Sequence, residues 1–271
     1  KNSNYKNKQN FYLSGIYQYN STLPLIKIDE NYQKILKPRV SFRVAPSHTK
    51  NDAKNERKVN LNNVYSLDRV VDDQSIEGGI SAIYGLDYSI LDKKQNNELF
   101  VFKLANNLRI ENNDNLSRMN QLGEKVSNIF NEIEYKPNEF LSTKYTSAIK
   151  NNLRDKSYEN FKTEFKINNF VTTFDYLNEN NTLERNSYLS NKSSINIDKF
   201  NNFTFSTRKN KTKDLTEYYN LMYQYKNDCL AASVEYNKDF YSDREIKPDE
   251  SIFFKLTFIP LGEAASPNLK N

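Results

Sequence analysis

The stretch DCLAASVEYNKDFYSDREIKPDESIFFKLTFIPLG, residues 228–262, decides how the whole chain is read. Leu230, Ala232, Val234, Tyr236 and Phe240 share one parity, and Ser233, Glu235, Asn237 and Asp239 the other. After the polar stretch Ser242–Glu250 the pattern resumes, with Ile252, Phe254, Leu256 and Phe258 on one face. Successive side chains of a strand point to opposite faces, so each segment has an aromatic-rich face and a charged face. Such segments run to about ten residues, the length of a tilted membrane strand. Soluble strands are commonly about five or six.

The alternation recurs upstream. Leu36, Val40, Phe42 and Val44 oppose Arg39, Ser41 and Arg43. Ile80, Ala82, Tyr84, Leu86, Tyr88 and Ile90 oppose Ser81, Asp87 and Ser89. Phe100, Phe102 and Leu104 oppose Lys103, while Phe161, Phe165 and Ile167 oppose Lys162, Glu164 and Lys166. Phe170, Thr172, Phe174 and Tyr176 share a side, and Tyr219, Leu221, Tyr223 and Tyr225 oppose Asn220, Gln224 and Lys226. Roughly thirteen such segments are expected. The best helical candidate, residues 115–133, is interrupted by Gly123, and its second half reads as a strand. Asn-rich stretches at 112–115 and 178–181 read as turns.

Composition points the same way. Of 271 residues only 37% are hydrophobic, yet 19 are Tyr and 17 Phe. Disordered chains are poor in aromatics, and no apolar run approaches the ~20 residues of a membrane helix. A membrane barrel reads polar overall because half of each strand can face water. The expected fold is therefore all-β: an antiparallel, up-and-down transmembrane barrel, present in part. Lys209 and Lys238 fall on the apolar parity and must lie near strand ends, where long side chains reach the interface.

The net charge of +5 is spread among acidic residues, which disfavours nucleic acid as a partner. One Cys excludes an internal disulfide scaffold and a Cys-rich zinc site. His48 is the only His and sits in a polar stretch, so a catalytic role is disfavoured. No cofactor is expected. Gly78-Gly79 precedes a strand and lacks the Lys-Ser/Thr of a phosphate loop, so a bulge or close strand contact is the better reading. Asp68 and Arg69 suggest a local ion pair. The chain begins without Met or a signal peptide and reads as a mature protein or a fragment. Residues 1–262 form one unit, with 263–271 as a short tail.

The segments ILKPRVSFRVAP (residues 35–46), VNLNNVYSLDRVVDDQSIEGGISAIYGLDYSI (59–90) and the ending from Cys229 to Gly262 resemble, in this order, the C-terminal barrel of the LptD lipopolysaccharide-assembly (organic solvent tolerance) family, in a form like that of alphaproteobacterial members. Leu67-Asp68-Arg69, Glu77-Gly78-Gly79, Tyr84-Gly85-Leu86 and the ending from Cys229 to Gly262 are the most specific pieces; residues 110–215 match only as a strand pattern. The resemblance implies an outer-membrane protein of a Gram-negative bacterium. It implies lipopolysaccharide as substrate, insertion into the outer leaflet, a plug lipoprotein in the lumen and a periplasmic bridge reached through an N-terminal jellyroll. The chain would then be about half of the barrel, with no bond-making chemistry. The rival reading is a diffusion porin, and an outer-membrane enzyme is a third.

Within that resemblance the last strand, Ser251, Ile252, Phe253, Phe254, Lys255, Leu256, Thr257, Phe258 and Ile259, is the gate strand, parted from the first strand to open a lateral exit. One of its edges should pair with residues 230–241, and the other should be free or close on the start of the chain. Cys229 would form a disulfide to the N-terminal domain, although many relatives carry two adjacent Cys there. The inward-parity cations Arg39, Arg43, Lys103, Lys162 and Lys166 either solvate the lumen or meet lipopolysaccharide phosphates.

Overall fold

In the computed structural model, residues 15–46, 50–54, 57–69, 76–180, 185–240, 248–259, 262–265 and 269–270 are described. His48 lies outside them. The described secondary structure is all β, in one antiparallel sheet. No helix is long and apolar enough to cross a membrane, which says nothing about crossing by strands.

Two short strands open the sheet, β1 (Tyr17–Thr22) and β2 (Leu25–Ile28), and both pair with β3 (Tyr32–Ala45). They form one broken strand, interrupted at Leu23-Pro24, where proline has no N–H for the ladder. A meander follows through β4 (Gly79–Asp92), β5 (Asn97–Arg109), β6 (Ile129–Asn138), β7 (Leu141–Ile149) and β8 (Lys156–Ile167). It continues through β9 (Phe170–Asn180), β10 (Arg185–Asn196), β11 (Asn201–Asn210), β12 (Leu215–Lys226), β13 (Leu230–Asp239) and β14 (Asp249–Phe258). From β3 onward each strand pairs with its sequence neighbour, as the alternation requires. Two further short strands, β15 (Gly262–Ala265) and β16 (Leu269–Lys270), pair with β14. The broken first strand and the twelve long strands β3 to β14 agree with the roughly thirteen expected, the short β15 and β16 bring the described strands to sixteen, and the sheet does not close on itself.

The two rims differ. Connections at 92–97, 138–141, 167–170, 196–201 and 226–230 are tight. At 167–170 the turn is only Asn168-Asn169, with Asn168 at φ 51°. Asn tolerates that left-handed conformation in two-residue hairpins. The opposite rim carries the long connections, 46–78 and 110–128. Outer-membrane barrels keep short turns toward the periplasm and longer loops outside, which orients the sheet.

The faces follow parity. On β3, Phe42 is 56% exposed while its neighbour Arg43 is 2% exposed. Across β11 to β14 the outward row Phe205, Leu221, Tyr236 and Ile252 is in register. Lys209 and Lys238 each sit one residue from the end of their strands at the long-loop rim, paired with Asp214 and Glu250. One Asn-rich expectation needs correction: Asn178, Glu179 and Asn180 lie in β9, not in a turn. Their amides work across strands, with Asn180 donating to the Lys156 carbonyl at 2.9 Å.

Candidate functional site

The inner face has a dry half and a wet half. In the dry half, the long connections fold back over β4 to β8. Val59 and Val64 from one, and Leu116 and Leu122 from the other, pack with Ile83, Ala105, Phe130, Ala148 and Tyr158 of the wall. Asparagines tie this cap down. Asn120 accepts from the Val59 amide at 3.0 Å and donates to the Arg57 carbonyl at 2.6 Å. Asn128 donates to the Met119 carbonyl at 3.0 Å and to Ser157 Oγ at 2.9 Å.

A buried ion cluster closes the cap at the rim. Glu77 receives Arg69 Nε and Nη2, each at 2.7 Å, and Arg109 Nη1 at 2.9 Å. Arg43 Nε lies 3.8 Å from Glu77, and its Nη1 donates to Gln18 and to the Ser66 carbonyl. All four side chains are nearly inaccessible. Burial alone would raise the Glu77 carboxyl, but the three guanidiniums outweigh it and hold it at about 2. Arg109 also donates to the Gly78 carbonyl. A Cβ on Gly79, whose φ is +98°, would meet Arg109 Nη2 at 2.5 Å. The Gly78-Gly79 pair therefore admits a guanidinium side chain rather than the bulge or close strand contact expected there. Arg69 does not pair with the exposed Asp68: the chain turns its guanidinium inward to Glu77. Gly85 serves the same cap, since a Cβ there would strike the Tyr65 hydroxyl at 2.0 Å. Arg39 stacks over the Tyr65 ring, 4.0 Å from its centroid. Burial pushes the Tyr65 phenol up to about 12.

Below the cap a cavity of about 270 Å³ is lined by Lys58, Glu132, Lys144, Tyr158 and Asn160 among others. The wet half, across β8 to β12, carries a second cavity of about 450 Å³. Lys162, Asp175, Lys192, Ser206 and Asn220 line it together with Tyr218 and Met222, so it is a trough with charged and polar walls. No group of His, Cys, Asp or Glu able to hold a metal occurs among the described residues.

The last long strand, β14, pairs with β13 in ten successive positions from Leu230↔Phe258 to Asp239↔Asp249. Its other edge is neither free nor joined to the start of the chain, as had been expected. Residues 262–265 and 269–270 fold back onto it. An open edge offers unpaired N–H and C=O groups to any strand within reach.

The family model for LPS transport system D, LptD, matches residues 2–215. The chain belongs to that family. No curated protein matches it. LptD proteins work in lipopolysaccharide transport at the outer membrane, which agrees with a sheet that is apolar outside and polar inside. The match ends where β12 begins, so the ending from Cys229 to Gly262 lies beyond it. It begins well before residue 35 and takes in β1 and β2. The ending from Cys229 to Gly262 is one of the four most specific motif pieces; the other three lie inside the LptD match and contribute Arg69, Glu77, Gly78, Gly79 and Gly85 to the cap.

The expected luminal cations are dispersed along the inner face. Arg39 is 3.3 Å from Asp87, and Lys103 is 2.8 Å from Glu132. Lys162 and Lys166 are exposed on β8. Arg43 is covered by the cap. Inward cations that went unnoticed in the sequence include Lys58 on the loop, bonded to Glu179; Lys144, 3.0 Å from Glu132; and Lys192. For Lys144 and Lys192 parity was the available signal. Cys229 is a free, exposed thiol at the short-turn rim.

Proposed function

We propose that this chain forms the closing half of an LptD barrel and that β14 is one side of its lateral gate, through which lipopolysaccharide reaches the outer leaflet. The observation that carries the reading is the asymmetry of β14, with ten paired positions toward β13 against four with β15 and two with β16. β15 follows β14 directly in the chain yet covers only four of its positions, whereas a first strand of the barrel beside β14 would be held only by ladder bonds and side chains. Unpaired backbone is not tolerated in lipid, so strands from the rest of the barrel complete the sheet beside β14. The substrate's sugars travel in the polar trough while its acyl chains pass through the seam.

Arg39, Lys103, Lys162 and Lys166 meet its phosphates in transit, favoured by the affinity of guanidinium and ammonium groups for phosphate. Arg43 instead holds the cap. A plug lipoprotein fills the lumen, and bridge proteins dock through the N-terminal domain. Cys229 is poised at the periplasmic rim for a disulfide to that domain in an oxidising compartment. The experiment is photocapture in transporting cells, with a photoreactive residue replacing Phe253 on the inner face of β14, Phe254 on its outer face, or Phe102 on the outer face of β5. Lipopolysaccharide adducts at both β14 positions and none at Phe102 are expected. Equal capture at all three would refute the gate.

A further inference from the structure

The outward face carries a basic pocket at the long-loop rim that the gate does not use. It encloses about 300 Å³ and is lined by Tyr176, Asn178, Arg185, Ser187, Lys211 and Thr212. Its floor is fixed by backbone: the Lys211 amide donates to the Ser187 carbonyl at 2.7 Å, and the Ser187 amide to Thr212 Oγ1 at 3.0 Å. The Ser187 hydroxyl donates to the Tyr176 hydroxyl at 3.4 Å.

Other outward cations near this rim have carboxylate partners. Lys209 has Asp214 at 2.6 Å, Lys238 has Glu250 at 3.5 Å and Lys156 has Glu159 at 2.5 Å. Arg185 and Lys211 form no ion pair among the described residues; Asp214 feels the charge of Lys211 but is bonded to Lys209. Glu159 approaches the pocket through Asn178, at 3.4 Å, but is already bound by Lys156. Below the cations the wall is apolar. Tyr176 is flanked in register by Phe161 and Leu189, with Phe174 next along β9, and these three are exposed.

Two cations over an aromatic stripe, at the rim that loop lengths assign to the outside, match an amphiphile with a phosphorylated head and several acyl chains. We infer that this pocket holds the phosphorylated sugar head of a lipopolysaccharide molecule already resident in the outer leaflet, packed against the outside of the barrel. The inference rests on lipopolysaccharide being the substrate, but it concerns a surface separate from the gate. Such a bound molecule would give the barrel an annulus of its own product.

The test uses the full-length protein in nanodiscs, with bound lipid read by native mass spectrometry. The probes are bisphosphorylated lipid A, the same lipid A stripped of phosphate, and phosphatidylglycerol. Wild type should retain bisphosphorylated lipid A, and R185A/K211A should retain at least tenfold less. R185K/K211R should restore retention, and K238A should leave it unchanged. The stripped lipid should bind wild type as poorly as bisphosphorylated lipid A binds R185A/K211A. Equal retention by wild type and R185A/K211A overturns the site. Phosphatidylglycerol held as tightly as lipid A overturns the lipopolysaccharide assignment. Neither result bears on photocapture at β14, so failure here and failure of the gate are separable.

Discussion

Arg69 and Glu77 form a two-pronged ion pair, Nε to Oε2 and Nη2 to Oε1, each at 2.7 Å and both out of reach of solvent. Eight residues apart on one loop, they clamp that loop to the inner wall. Arg109 of β5 supplies a further bond to Glu77, and Arg43 of β3 its charge. Removing one partner of a buried pair leaves uncompensated charge and costs about 3–5 kcal/mol. In Glu77→Ala three guanidiniums lose the anion that they share among the described residues. The long loop should become protease-sensitive within an otherwise intact barrel. Lys103→Ala, at a partly exposed pair with Glu132, should cost about 1 kcal/mol or less. The measurement is limited proteolysis of the folded protein in micelles; identical loop protection in Glu77→Ala and wild type would remove the clamp.

The same carboxyl sets an acid response. Its folded pKa, about 2, lies below the ordinary 4.5. Protons therefore bind the undocked loop first. The stabilisation is whole above pH about 4.5 and drains as pH falls toward 2. Loop protection should hold at pH 5 and fall away between those limits. In Glu77→Gln that response should be flattened. A wild-type loop released between pH 6 and 5 would contradict this assignment.

Gly79→Ala combines two penalties. A side chain at φ +98° is strained, and its Cβ would sit 2.5 Å from Arg109 Nη2. A cost of about 1–3 kcal/mol is expected from the backbone alone. Gly85→Ala should act through Tyr65 and the Leu104 carbonyl, 2.5 Å from the added carbon. Heat-modified gel migration of the two variants reads this. Gly15→Ala, with nothing within 4 Å, is the control.

The strands and their faces were legible in the sequence because period two leaves no choice of side. Phe254 had to face opposite Lys255, and it does. The cap was not legible. Residues 57–69 look like a polar loop, and nothing in their spacing says that Val59 and Val64 pack on Ile83 and Phe130. Parity placed Arg43 with Arg39 but could not say that a loop would cover one and leave the other half open. Arg69 seemed paired to its neighbour Asp68 because sequence shows adjacency, whereas the fold sets Glu77 against its guanidinium. The pairing of 262–265 with β14 was hidden for a similar reason: alternation identifies strands but not what fills an edge.

Cys229 offers a chemical test. Its thiol is exposed at the short-turn rim, and Asn227 Oδ1 accepts the Cys229 backbone amide at 2.9 Å, which sets the turn. In the full-length protein taken from the periplasmic environment it should resist thiol labelling until reductant is added. A thiol that labels fully without reductant removes the proposed disulfide.

The most direct measurement concerns the seam itself. A cysteine introduced for Ser251 or Thr257, on the inner face of β14, is to be joined by a disulfide to the first strand of the full barrel, and lipopolysaccharide arrival at the cell surface followed. With the staple closed, delivery should stop, and reductant should restore it. Delivery at the normal rate through a verified staple would contradict the gate.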